Sequence, residues 1–126
     1  MHVDELQESD PNGILAGKPG AKLDAGKVRV GLMMQGFSRA LFKVSEITTF
    51  GALKYSEGGW ESVPDGIKRY TDAMQRHNLK VGMGEVLDPD SGELHLAHAA
   101  WNALAILELT LRERKANEIS LDRPRA

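Results

Sequence analysis

The stretch Leu94-His95-Leu96-Ala97-His98-Ala99-Ala100-Trp101-Asn102-Ala103-Leu104-Ala105-Ile106-Leu107 decides the fold of this chain. Nearly every residue in it is apolar, which predicts a helix enclosed on most sides. Set into it are His95, His98 and Asn102, at positions i, i+3 and i+7. On a helix of about 3.6 residues per turn these three share one narrow stripe. Buried polar groups need partners, and a row of them needs a shared one. A metal ion, a nucleotide or a polar network would serve.

Outward from that stretch, the helix is predicted over Glu93 to Ala116. Its charged end, Leu109 to Lys115, reads as a solvated surface or a subunit contact. A second helix is predicted over Ile67 to Val81, with Tyr70, Ala73, Met74, His77 and Val81 on its inner face. Gly82 and Gly84 end it. The segment Glu85 to Gly92 follows as a loop with Asp-Pro-Asp-Ser-Gly turn chemistry. A first helix is predicted from Phe37 to Tyr55, N-capped by Ser38, with Ala40, Leu41, Val44, Ile47 and Gly51 forming its apolar stripe. Before it, glycines and prolines punctuate an irregular arm, in which Lys27 to Val30 is a candidate extended piece. The expected architecture is all-α: an arm at 1–36, a helical catalytic domain at 37–119 and a tail at 120–126. Three helices are few to enclose a polar stripe, so a helical bundle completed by a homodimer or homotetramer is expected.

Composition narrows the function. The chain has 126 residues, 41% hydrophobic and 27% charged, which suits one globular domain. A net charge of −2 carries no basic excess for a nucleic-acid backbone. No cysteine is present, which excludes thiol catalysis, disulfides and cysteine-ligated zinc, including the zinc deaminases. No apolar run is long enough for a membrane span, and the acidic start is unlike a signal peptide, so a cytoplasmic protein with no membrane partner is expected. The run Gly13-Ile14-Leu15-Ala16-Gly17-Lys18-Pro19 is not a P-loop: only three residues separate the glycines, and proline replaces the Ser/Thr that would meet magnesium. His-Asp, Gly-x-Ser-x-Gly and His-Glu-x-x-His motifs are likewise missing from the sequence.

Three constellations remain. His77, Glu85, Asp88, His95 and His98 combine carboxylate oxygens, which the divalent cations of phosphate chemistry prefer, with imidazole nitrogens, which manganese, iron, zinc and their relatives accept. The alternative makes Glu85 and Asp88 helix caps and the histidines core members. His77 itself reads as a core histidine, a general base or a ligand. Lys27, Arg29, Lys54 and Arg76 are cations that a polyphosphate needs, or ordinary surface charge. Tyr55 and Trp60 flank Gly58-Gly59 and suit stacking on a base, or stapling of that loop. Trp101 reads as core or subunit interface.

These residues resemble a known pattern. Gly26-Lys27-Val28-Arg29, then Phe50-Gly51-Ala52-Leu53-Lys54-Tyr55 with Trp60 after it, are followed by Arg69-Tyr70-Thr71-Asp72-Ala73 with Arg76-His77. Gly84-Glu85-Val86-Leu87-Asp88-Pro89-Asp90-Ser91-Gly92 and His95-Leu96-Ala97-His98-Ala99-Ala100-Trp101-Asn102 complete it. In this order, over about residues 26–108, they resemble the phage dATP/dGTP diphosphohydrolase N-terminal family, with MazG-like (MazZ-type) all-α nucleoside triphosphate pyrophosphohydrolases. The resemblance implies metal-dependent hydrolysis of a purine (deoxy)nucleoside triphosphate, dGTP above all, to the monophosphate and pyrophosphate. It also implies a place in phage nucleotide-pool remodelling within the host cytoplasm, supplying dGMP for 2-aminoadenine synthesis.

Carried onto this chain, the resemblance makes His77 and Glu85 catalytic, and Glu46, Glu85, Asp88, His95 and His98 the ligands of Mg2+ or Mn2+. Lys27, Arg29, Lys54 and Arg76 would bind phosphate, and Tyr55, Trp60 and Asn102 the base. The MazG pattern of Glu-x-x-Glu and then Glu-x-x-Asp is not reproduced. His95-x-x-His98 stands for the second motif, and Glu46 with Thr49 is the nearest substitute for the first. Two other readings stay open: a phosphohydrolase releasing phosphate or triphosphate, and a non-catalytic helical module that binds nucleotide or metal.

Overall fold

A computed structural model describes residues 8–122. Two compact units divide the chain at Ser38/Arg39. Among the described residues every regular element is helical: α1 Val30–Gly36, α2 Ser38–Lys54, a 3-10 turn Gly59–Ser62, α3 Gly66–Gly82 and α4 His95–Asp122. The all-α expectation holds. None of these helices is long and apolar enough to cross a membrane.

The first unit is organised by one buried side chain, Asp10. Its carboxylate accepts the backbone N–H groups of Asn12 and Lys22, each at 2.7 Å, and of Ile14 at 3.4 Å. The Lys22 bond leads in holding the Asp10 carboxyl below its ordinary pKa. The arm is less irregular than its glycines suggest. Residues Val30–Gly36 form a helix, so Val30, the end of the candidate extended piece Lys27–Val30, is helical instead. Ser38 is the first residue of α2 rather than its cap.

In the second unit, α2 buries Val44 and Ile47 and half-buries Leu41 and Phe50, the three-residue rhythm of one helix face. Its hydroxyls fold back on the helix: Ser45 donates to the Leu41 carbonyl at 2.8 Å and Thr48 to that of Val44 at 3.0 Å. Polar side chains are thereby satisfied without leaving the helix. Val63 is extended, as a residue before proline prefers. Asp65 then turns into α3 with φ 56°, a left-handed conformation that is uncommon outside glycine.

The helices α3 and α4 run antiparallel and supply the main packing. Leu109 lies against Gly66, Trp101 against Tyr70, and His95 against His77. A Cβ on Gly66 would sit 3.2 Å from Leu109 Cδ1, so this glycine permits a close approach. Trp101 packs edge-on with Tyr70 and Trp60, at centroid distances of 5.4 and 5.8 Å. The Tyr70 hydroxyl donates to the Trp60 carbonyl at 2.8 Å, so its polar tip is satisfied.

Two expectations about α4 are corrected. It continues to Asp122 rather than ending at Ala116, and part of the expected tail is helix. The Arg112–Glu108 pair, 2.7 Å apart at i,i+4, supports the charged turn. It is also not enclosed on most sides: His95, Ala97, Ala99, Asn102 and Ala105 are buried, whereas Leu96, Leu104, Leu107 and Leu111 are exposed.

Candidate active site

A short hairpin builds the site at the end of α3 and the start of α4. Gly84, at φ 88°, turns the chain out of α3. Leu87 and Leu94 then pair as an isolated antiparallel bridge, with Asp88 N donating to the Glu93 carbonyl at 2.8 Å and His95 N to that of Val86 at 3.0 Å. Gly92, at φ 73°, closes the turn. This register returns Asp88 over the first turn of α4, where His95 and His98 lie one above the other.

His77, Glu85, Asp88, His95 and His98 come together. His95 is 2% exposed and uses both ring nitrogens: Nε2 lies 2.9 Å from Glu85 Oε2, and Nδ1 lies 2.8 Å from His77 Nδ1. A carboxylate only accepts, so His95 carries its proton on Nε2. In the neutral ring Nδ1 then accepts from His77 Nδ1–H. The His77 and His98 rings stack in parallel, with centroids 4.6 Å apart and planes 8° apart. Phe50 meets His98 edge-on at 6.3 Å.

Burial is the main cause that pushes the His77 and His98 pKa values below the ordinary one, with neighbouring rings adding to it. For Asp88, burial pushes upward, but the hydroxyl and N–H of Ser91 outweigh it, with His98 and His77 assisting, and hold the carboxyl below its usual range. Burial thus favours the neutral rings of His77 and His98, and Ser91 favours the ionised form of Asp88.

Ser91 was not singled out in the sequence. Its hydroxyl donates to Asp88 Oδ2 at 2.9 Å and lies 2.6 Å from His98 Nε2. Serine, histidine and aspartate in contact suggest a hydrolytic triad, but the geometry excludes one. Ser91 Oγ and Asp88 Oδ2 both approach the same nitrogen, His98 Nε2, at 2.6 and 3.5 Å. A triad needs them on opposite nitrogens. The sequence hid this residue because a serine inside Asp-Pro-Asp-Ser-Gly reads as turn chemistry.

One atom each from His77, Asp88 and His95 lies within 4.8 Å of the others. Two imidazole nitrogens and a carboxylate oxygen at that spacing can hold a divalent metal ion. The structure thus gathers His77 with Asp88 and His95, where the sequence leaves it open as a core histidine, a general base or a ligand.

The other expected residues lie as follows. Glu46, on α2, meets Lys43 at 3.5 Å and hydrogen-bonds the carboxyl of Glu93. That bond, with burial, raises the Glu93 pKa, and Lys43 opposes it. Glu46 is outside the His77–Asp88–His95 group. Lys54 binds Asp90 at 2.6 Å and lies over the rings of Phe50 and Tyr55. Arg76 is exposed beside His77, and Tyr55 is 77% exposed. Lys27 and Arg29 belong to the first unit, where Lys27 pairs with Glu8 at 3.0 Å. The Trp60 ring is engaged with Trp101 and lies under Arg112. Asn102 is buried and its amide donates to the His98 carbonyl at 2.9 Å.

A separate open groove of about 590 Å³ lies near the start of α3. Glu61, Asp65 and Glu113 line it against a single cation, Lys68. A triphosphate would be repelled there.

Residues 17–119 match the family described as "dATP/dGTP diphosphohydrolase, N-terminal". A curated relative from Salmonella phage PMBT28, called "dATP/dGTP diphosphohydrolase", is 31% identical over 90 residues. That match covers 71% of this chain and 29% of the relative, so the chain spans under a third of the relative's length. No solved structure matches.

Proposed function

Because this chain belongs to the dATP/dGTP diphosphohydrolase N-terminal family, we propose that its histidine cluster hydrolyses purine deoxynucleoside triphosphates to the monophosphate and pyrophosphate. The reading takes dGTP as the preferred substrate, with its dGMP product feeding 2-aminoadenine synthesis in a phage-infected cell. The observation that carries it is the convergence of His77, Asp88 and His95 from two helices and a hairpin onto one ligand-sized space.

His77, Asp88 and His95 would hold the ion, which would take the place of the proton between the two facing Nδ1 atoms, and His98 stacks on the His77 ring beside them. When bound, a divalent ion neutralises the triphosphate and makes a water acidic enough to attack. Glu85 is half-exposed, and its Oε2 is bonded to His95. Its Oε1 accepts the proton of the attacking water as the new oxygen bond to the α-phosphorus forms. The bond from that phosphorus to the bridging oxygen breaks, and the electron pair leaves with pyrophosphate. Lys54 and Arg76 balance the leaving charge. Tyr55 and Trp60 flank the base. Asn102 acts on the site through the His98 backbone, to which it is bonded. Glu46 enters as an outer carboxylate, joined to Glu93.

Product analysis tests this reading. The protein is incubated with each dNTP and Mn2+ or Mg2+, and nucleotides, pyrophosphate and phosphate are separated. Monophosphate with pyrophosphate, fastest from dGTP, is expected. Diphosphate with phosphate, or nucleoside with triphosphate, replaces the mechanism. No turnover leaves a nucleotide- or metal-binding helical module, in which metal alone raises the melting temperature.

A further inference from the structure

We propose that Ser91 is a positioning residue: its hydroxyl ties Asp88 Oδ2 to His98 Nε2, and so fixes which oxygen and which nitrogen stay open to a divalent ion. A serine hydroxyl has one proton to give and two lone pairs to accept with. Ser91 Oγ has three close partners: Asp88 Oδ2 at 2.9 Å, His98 Nε2 at 2.6 Å and the Glu93 backbone N–H at 3.2 Å. The Glu93 N–H can only donate. Asp88 Oδ2 can only accept, so it takes the serine proton. The remaining lone pair must then receive a proton from His98, which places that proton on Nε2. The opposite arrangement, with the serine proton on His98, would set two bare oxygens against each other at 2.9 Å.

Two atoms are left open. The Ser91 N–H, at 3.1 Å, and the Ser91 hydroxyl both engage Asp88 Oδ2, so Oδ1 stays available. In neutral His98 the lone pair sits on Nδ1. Among the described residues no hydrogen bond engages either atom, and no fully buried side-chain nitrogen or oxygen lacks a partner, so both atoms reach solvent. The clamp thus presents one carboxylate oxygen and one imidazole nitrogen beside the stacked His77 ring. That these donors serve nucleotide hydrolysis rests on the function proposed above; the proton placement does not.

The test uses the whole chain without nucleotide. Ring nitrogens of His98 are observed by 15N NMR, assigned by their loss in His98→Gln, and Mn2+ affinity is measured with the metal alone. The wild type should show its ring proton on Nε2, protected from exchange with water. Ser91→Ala should lose that protected signal and bind Mn2+ about 10–100-fold more weakly, as expected when a group orienting a metal ligand is removed. Ser91→Thr, which keeps the hydroxyl, should restore both. A wild-type ring proton on Nδ1 overturns the proposal, and this result does not depend on any variant folding. Unchanged Mn2+ affinity in Ser91→Ala overturns it too. So does a Ser91→Thr variant as weak as Ser91→Ala, because packing would then explain the loss. A wild type that releases no pyrophosphate, but shows the clamp and its loss, removes the enzyme reading and leaves this one standing.

Discussion

His95 shows how much one side chain carries. Its ring is almost fully buried, and both nitrogens are committed, one to Glu85 and one to His77. His95→Ala strips a partner from each, and an unpaired buried polar group costs roughly 1–3 kcal/mol. A lowered melting temperature is therefore expected alongside a loss of metal-dependent turnover, because one of the groups proposed to hold the ion is gone. His95→Ala at wild-type stability would show that the two bonds contribute nothing. The neighbouring rings make stability depend on pH. Burial holds the His77 and His98 pKa values below the ordinary one, so between the two values the unfolded chain binds more protons than the folded one. The stability contributed by the neutral rings is complete above about pH 6.5 and is lost as pH falls through their lowered folded values. Asp88 has the same sign in a lower range: its contribution is lost as pH falls through its own depressed value. Urea midpoints should rise with pH from about 5 to about 7, and a flat profile would contradict the burial of these rings.

At the level of elements, the Lys54–Asp90 pair joins the end of α2 to the hairpin before α4. Both side chains are well exposed, so the pair adds little to folding. If Lys54 also meets phosphate, Lys54→Ala will leave the melting temperature nearly unchanged and raise KM for the triphosphate. An unchanged KM removes it from the phosphate set. The contrast also shows which parts of the molecule were legible in the sequence. Local periodicity located α2 and α3 to within a residue or so, because each has a stripe and a stop. The convergence of His77, Glu85, Asp88, His95 and His98 was legible too, because a polar row on an apolar helix must be answered by something nearby. The α1 helix was not, since Gly31 and Gly36 bracket an apolar run too short to show a period. The far end of α4 was missed because charges read as an ending, although at i,i+4 they support the helix. Ser91 was hidden for a deeper reason. Its role depends on the Leu87–Leu94 register, and a one-residue slip would turn that register over.

At the scale of the whole molecule, the exposed apolar residues need explaining. Leu104, Leu107 and Leu111 lie on successive turns of α4, 47–54% exposed, and Leu96 extends the row toward the site. A continuous apolar stripe of this kind marks an interaction surface more often than scattered leucines do. A second copy of this chain is the simplest partner, because a two-fold axis lets the same stripe pack on itself. Such a contact would give the homodimer or homotetramer expected from three helices too few to close a bundle. Leu104→Glu with Leu107→Glu places like charges on both sides of such a contact. Neither residue touches the His77–Asp88–His95 group, so the variant isolates assembly from metal binding. Sedimentation should show the wild type as a dimer or tetramer and the double variant as a monomer with Mn2+ affinity retained. A wild type that sediments as a monomer would leave the stripe for a different protein to cover. A variant that stays assembled would place the contact elsewhere on the chain.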